Sequence, residues 1–166
     1  SARSGRKRRA TASILSRVPG ASGMRCDARG TARISASFEK GVTVLAFFPA
    51  AFTSVCTTEM CAFRDAMARL NAIHAQVFGI SVDTPFTLKV FARDNGLTFP
   101  LLSDFNKDAI SRYDVVLADL VGLKGVAKRS VFVVDRAGLV RYRQVLEDAR
   151  QEPDYNALYA AIEAAK

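Results

Sequence analysis

The sequence predicts an α/β fold, a mixed sheet flanked by helices, from three observations. First, a continuous apolar run from Val42 to Phe48 is bounded by Gly41 and Pro49. Apolar residues without polar alternation mark a strand buried on both faces. Second, strand and helix patterns alternate from residue 42 to about residue 113. Third, the chain ends in a hairpin pattern followed by a helix. Strands interleaved with helices need a sheet covered on both sides. The 166 residues, 49% hydrophobic and 24% charged, suffice for one domain with a sizeable core.

The elements follow in order. Residues 1–26 are rich in Ser, Ala, Gly and Arg without apolar periodicity, and are read as a segment lacking regular structure. The domain is taken as residues 27–166, opening with a turn at Asp27-Ala28-Arg29-Gly30. After the strand 42–48, a helix starts near Thr53 or Ser54, either of which can cap it. Met60, Phe63, Met67, Leu70 and Ile73 recur at helical spacing and form its packed face. A strand follows at residues 77–82. A second helix starts at Pro85 and stops at Asn95-Gly96, a C-cap signal. A short strand near residues 100–102 and a short helix over 107–113 come next. Residues 114–128 read as a loop with two glycines, a segment open to contact with a second subunit. Val131–Val134 and Leu139–Tyr142 form a hairpin with Gly138 in its turn. The closing helix covers 153–165, with Pro153 in its first turn. This order resembles the thioredoxin fold.

Charge is distributed unevenly. Residues 1–40 hold ten Lys/Arg and two acids, leaving 14 basic and 14 acidic side chains in the remaining 126 residues. The net charge of +8 therefore describes the start of the chain. A basic tail binds phosphates loosely through counterion release, but nothing here predicts specific nucleic-acid recognition by the domain. Two readings of the tail stay open, an organellar transit peptide and a non-native start. No run approaches the ~18 apolar residues of a membrane span. A cytoplasmic setting is expected, or an organellar one if the tail is a transit peptide.

The chemistry points to Pro49-Ala50-Ala51-Phe52-Thr53-Ser54-Val55-Cys56, where a buried strand gives way to a helix. Cys56 falls in the first helical turn, where free N–H groups and the positive end of the dipole stabilise a thiolate. Only the thiolate is a useful nucleophile. Three cysteines do not make a disulfide framework. Glu59 lies in the early turns, where the dipole favours an acid.

Pro-x-x-x-Thr-x-x-Cys after Phe47-Phe48 resembles the peroxiredoxin signature. The stretch Phe47 to Thr53 is similar to the E-type alkyl hydroperoxide reductases. Phe99 to Asp104, Lys128 to Asp135 and Leu139-Val140-Arg141 also fit, so the resemblance covers about residues 31–166. It implies a thiol peroxidase acting on hydrogen peroxide or alkyl hydroperoxides without metal or other cofactor. Cys56 would attack and become a sulfenic acid. Thr53 and Arg129 would stabilise the developing charge, Pro49 would shield the sulfur, and Glu59 would stand behind them. The Cys56–Cys61 spacing is similar to that of the Q-type peroxiredoxins, whose second cysteine resolves the sulfenic acid within the chain. Reduction by a thioredoxin-like donor, and a homodimer, are further expectations.

Other readings stay beside these. In an intact helix the two cysteine Cα atoms stand ~8.7 Å apart, beyond the roughly 7 Å limit of a disulfide, so the first turn must unwind. Cys61 can also be a simple core thiol. Cys26 is read as incidental, with an alternative role as partner to Cys56. His74, near a helix end, receives no catalytic role. The alternative function is a thiol-disulfide oxidoreductase, but that activity uses Cys-x-x-Cys. The chain departs from the family at its start, where no Gly-x-x-Ala-Pro-x-Phe segment precedes Asp27 and Val18-Pro19-Gly20-Ala21 does not match it.

Overall fold

The computed structural model describes residues 40–166, Phe38, and the backbone of Ser16–Arg17. Cys26, the turn at Asp27, Val18 to Ala21 and the rest of the basic tail lie outside the described residues. Eight strands are described: β1 (Ser16–Arg17), β2 (Thr43–Phe47), β3 (Gln76–Ser81), β4 (Leu101–Ser103), β5 (Val116–Leu120), β6 (Leu123–Ala127), β7 (Ser130–Val134) and β8 (Val140–Val145). The helices whose bounds lie among the described residues are α1 (Ser54–Ala72), α2 (Pro85–Asp94), α3 (Asp108–Arg112) and α4 (Tyr155–Ala164).

The main sheet runs β1-β4-β3-β2-β7-β8. Strand β2 is parallel to β3 and antiparallel to β7, which makes the sheet mixed. All five residues of β2 and all five of β7 are buried, as strands covered on both faces require. Their side chains alternate between two cores. Val44, Ala46 and Phe48 join Val131 and Val133 under α1, α2 and α4, through Met60, Phe63, Leu88, Phe91, Leu158 and Ile162. Leu45 and Phe47 face the other way, with Phe132 and Val134, against Ala109 and Ile110 of α3 and against Val115 and Ala127. The architecture is the thioredoxin-like one.

Two local details differ from the sequence reading. Residues 116–127 form the antiparallel hairpin β5–β6 rather than a loop. Its turn is Val121-Gly122, with φ of 47° and 90°. Two successive positive φ angles define the tight hairpin turn, but a β-branched residue at the first is disfavoured, so the sequence carries no recognisable turn signal. At the chain's end, Asp154 caps α4 by accepting a hydrogen bond from the Ala157 N–H. Pro153 therefore precedes the cap instead of standing in the first turn.

The register of the sheet positions the site. Phe47 pairs with Ile80 on one side and Ser130 on the other. The C-terminal ends of β2 and β3 and the start of β7 thus meet at one edge of the sheet. The loop 48–53, the residues after Ser81 and the residue before Ser130 converge there. Open α/β sheets place their ligands at such strand ends.

Candidate active site

Cys56 lies in the first turn of α1 and is 1% exposed. Thr53 is the N-cap residue, with extended backbone angles. Its hydroxyl does not cap the helix. It donates instead to the Ala50 carbonyl at 2.9 Å. The turn between them passes through Phe52 at φ 66°, a left-handed conformation costly for a bulky side chain. The Phe52 ring packs edge-on against Phe91, centroids 5.1 Å apart, and stays half exposed. Pro49, buried, closes the end of β2.

Arg129 precedes β7 and is 1% exposed. Three groups fix its guanidinium. Nη1 donates to Glu59 Oε2. Nη2 donates to the Ala149 carbonyl at 2.9 Å and to Cys56 Sγ at 3.3 Å. Neighbouring Lys128 pairs with Glu147. A buried arginine is tolerated only when its charge is compensated, here by the Glu59 carboxylate and, on ionisation, the thiolate. The fork of donors lets one cation serve both.

Glu59 is fully buried. Burial pushes its pKa up from 4.5 to about 7, outweighing the pull of Arg129 in the opposite direction. At neutral pH the carboxyl thus sits near its midpoint. Among the described residues, Glu59 Oε1 and Arg129 Nε have no hydrogen-bond partner.

Cys61 lies five residues along the same helix, on a face turned by roughly 140° from Cys56. It is partly buried, and its Sγ donates weakly to Asn95 Oδ1 at 3.9 Å. Both cysteines are free thiols. His74 is exposed, in the left-handed conformation just past the end of α1. The structure therefore gathers Cys56, Arg129 and Glu59 by direct contact, sets Thr53 and Pro49 on the adjoining loop, and leaves Cys61 on the far side of the helix.

Two contributors were missed from sequence. The Ala149 carbonyl is invisible to any side-chain pattern. Asp83 accepts a hydrogen bond from the Ala51 N–H at 2.8 Å. The available signal was an acid two residues past the end of the strand next to the one that feeds Cys56.

The sequence model of the AhpC/TSA family matches residues 17–143. Alkyl hydroperoxide reductase E of Mycobacterium tuberculosis is 36% identical over 124 residues, covering 73% of this chain and 79% of that protein. A chloroplastic 2-cysteine peroxiredoxin of Chattonella marina var. antiqua is 35% identical over 123 residues, covering 70% of this chain and 60% of the relative. Among solved structures, peroxidoxin BcpB from Mycobacterium tuberculosis superposes with a TM-score of 0.74 at 27% identity, covering 95% of this chain and 97% of that one. With the family match spanning most of its length, and a cysteine at a helix start held against a buried arginine, the chain belongs to the AhpC/TSA family and is a peroxiredoxin.

Proposed function

We propose that this chain is a thiol peroxidase that reduces hydrogen peroxide and alkyl hydroperoxides at Cys56. The observation that carries the reading is the 3.3 Å contact between Cys56 Sγ and the permanently charged Arg129, two side chains each 1% exposed. In low dielectric such a charge acts strongly on an ionising sulfur and on a leaving oxygen. The thiolate attacks one peroxide oxygen, an S–O bond forms and the O–O bond breaks. The proton of the attacked oxygen passes to the departing oxygen, which leaves as water or an alcohol. Cys56 is then a sulfenate, which takes up one proton from solvent to become the sulfenic acid. The Thr53 hydrogen is committed to Ala50, so the hydroxyl offers its lone pairs to the incoming peroxide O–H. Pro49 shields the sulfur from water.

Cys61 then attacks the sulfenic sulfur, its thiol proton leaves with the hydroxyl as water, and an intrachain disulfide forms. A thioredoxin-like dithiol donor returns two electrons and two protons. That step needs a thiol-reducing compartment, and on this ground we assign the chain to the cytoplasm or an organelle of similar redox poise. A homodimer through the β5–β6 hairpin fits its exposed Val116, Val121 and Leu123.

Stopped-flow oxidation tests the reading. Cys56 should react with peroxide at least about a thousandfold faster than free cysteine, as preorganised charge stabilisation allows. Cys56→Ser should abolish the reaction. A rate equal to that of free cysteine, or full activity in Cys56→Ser, rejects it.

A further inference from the structure

The peptide unit joining Ala50 and Ala51 is gripped at both ends. Its carbonyl accepts the Thr53 hydroxyl at 2.9 Å. Its N–H donates to Asp83 Oδ2 at 2.8 Å. The same Asp83 oxygen accepts the Ser81 hydroxyl at 2.7 Å. Ser81 Oγ in turn accepts the Asp83 N–H at 3.2 Å, and the Asp83 carbonyl takes the Ser103 hydroxyl at 2.6 Å. Asp83 is thereby fixed to the ends of β3 and β4, two strands of the rigid sheet.

We infer that Asp83 is a positioning residue for peroxide reduction, acting on Thr53 through the Ala50–Ala51 peptide. The inference rests on the role proposed above for Thr53. Two physical effects carry it. First, the turn that follows includes Phe52 in the left-handed region, which costs about 1–2 kcal/mol for a residue with a β-carbon. A half-exposed loop relaxes out of such a conformation unless something holds it. The Asp83 bond to Ala51, immediately before Phe52, is that hold. Second, a carboxylate on the N–H polarises the peptide and makes its carbonyl a better acceptor. The Thr53 hydrogen is then kept on Ala50, and the hydroxyl lone pairs stay directed to the peroxide. Asp83 touches neither the sulfur nor the substrate in this scheme.

The test compares two reactions of Cys56 in the full chain. Oxidation by hydrogen peroxide needs an oriented Thr53. Alkylation by iodoacetamide needs the thiolate but no peroxide pocket. In Asp83→Ala the peroxide rate constant should fall about tenfold or more, the scale of a small misplacement of a catalytic group, while alkylation stays within about twofold. Asp83→Asn keeps an amide oxygen for Ala51 and should recover most of the peroxide rate. Adding Asp83→Ala to Thr53→Val should lower the rate little beyond Thr53→Val alone, because both act through one hydroxyl. If Asp83→Ala does not fold, Ser81→Ala, which loosens the carboxylate without removing it, carries the same comparison. Equal losses in both reactions, a wild-type peroxide rate, or additive losses in the double variant overturn the inference. Should Thr53→Val itself leave the peroxide rate intact, the Thr53 assignment falls and takes the inference with it. A Thr53→Val loss without an Asp83→Ala loss rejects the inference alone.

Discussion

Arg129 contacts both Glu59 and Cys56, all three buried, so a change of charge on Glu59 is expected to be felt at the site. Its pKa, raised by burial to about 7 from 4.5, means that the folded protein holds a proton on Glu59 where the unfolded chain has lost it. Stability linked to this group is therefore present below pH 4.5 and is lost as pH rises toward 7. A shift of that size corresponds to on the order of 3 kcal/mol. Glu59→Gln keeps an oxygen for Arg129 and removes the titration. Urea unfolding at pH 5 and pH 8 should show the wild type losing more stability on going up in pH than the variant does. Parallel pH dependences would mean that Glu59 is ionised across the whole range. At pH 8 the variant should also oxidise more slowly, because the neutral amide holds the guanidinium less firmly than a carboxylate does.

At the scale of elements, α1 can lie close on the sheet because Gly79 of β3 has no side chain. A β-carbon there would stand 2.5 Å from Leu101 Cδ2, 3.1 Å from Met60 Sδ and 3.4 Å from Phe48 Cε1. Gly79→Ala should cost about 1–3 kcal/mol by overpacking, read as a lower urea midpoint with unchanged slope. Because Met60 sits one turn after Cys56, the same variant should slow peroxide oxidation; an unchanged midpoint would mean that α1 shifts freely. Such elements were legible where physics leaves a local mark. The run Val42–Phe48 announced the central strand, Pro85 and Asn95-Gly96 bracketed α2, and Thr53 with Cys56 marked the start of α1. The β5–β6 hairpin was not legible, because its strands are largely exposed and its turn puts Val121 in a conformation that sequence rules assign to Gly or Asn. The candidate site was readable as residues but not as contacts. The Glu59–Arg129 pair joins residues 70 apart in sequence, and the Ala51–Asp83 bond joins residues 32 apart. Only the folded register brings them together.

At the scale of the whole molecule, the reduced fold and the proposed recycling step are in conflict, and the conflict is measurable. Cys56 belongs to the main core and touches Arg129, while Cys61 faces Asn95 on the opposite side of the same helix. A disulfide needs Cα atoms closer than roughly 7 Å, against ~8.7 Å in the intact helix. Forming it must therefore unwind the start of α1, withdraw Cys56 from the core and break its contact with Arg129. The cost is lost packing around a buried side chain, a few kcal/mol, which for a domain of this size lowers the melting temperature by about 5–10 °C. Peroxide-treated wild type should thus melt lower than the reduced protein. It should also become cleavable by protease between residues 50 and 62, and yield a Cys56–Cys61 peptide by mass spectrometry. Cys61→Ala, treated in the same way, should accumulate the sulfenic acid and keep the melting temperature and protease resistance of the reduced form. An oxidised wild type that melts and resists protease like the reduced protein would show that Cys61 does not resolve Cys56. A Cys56–Cys26 peptide in its place would give the resolving role to the basic tail.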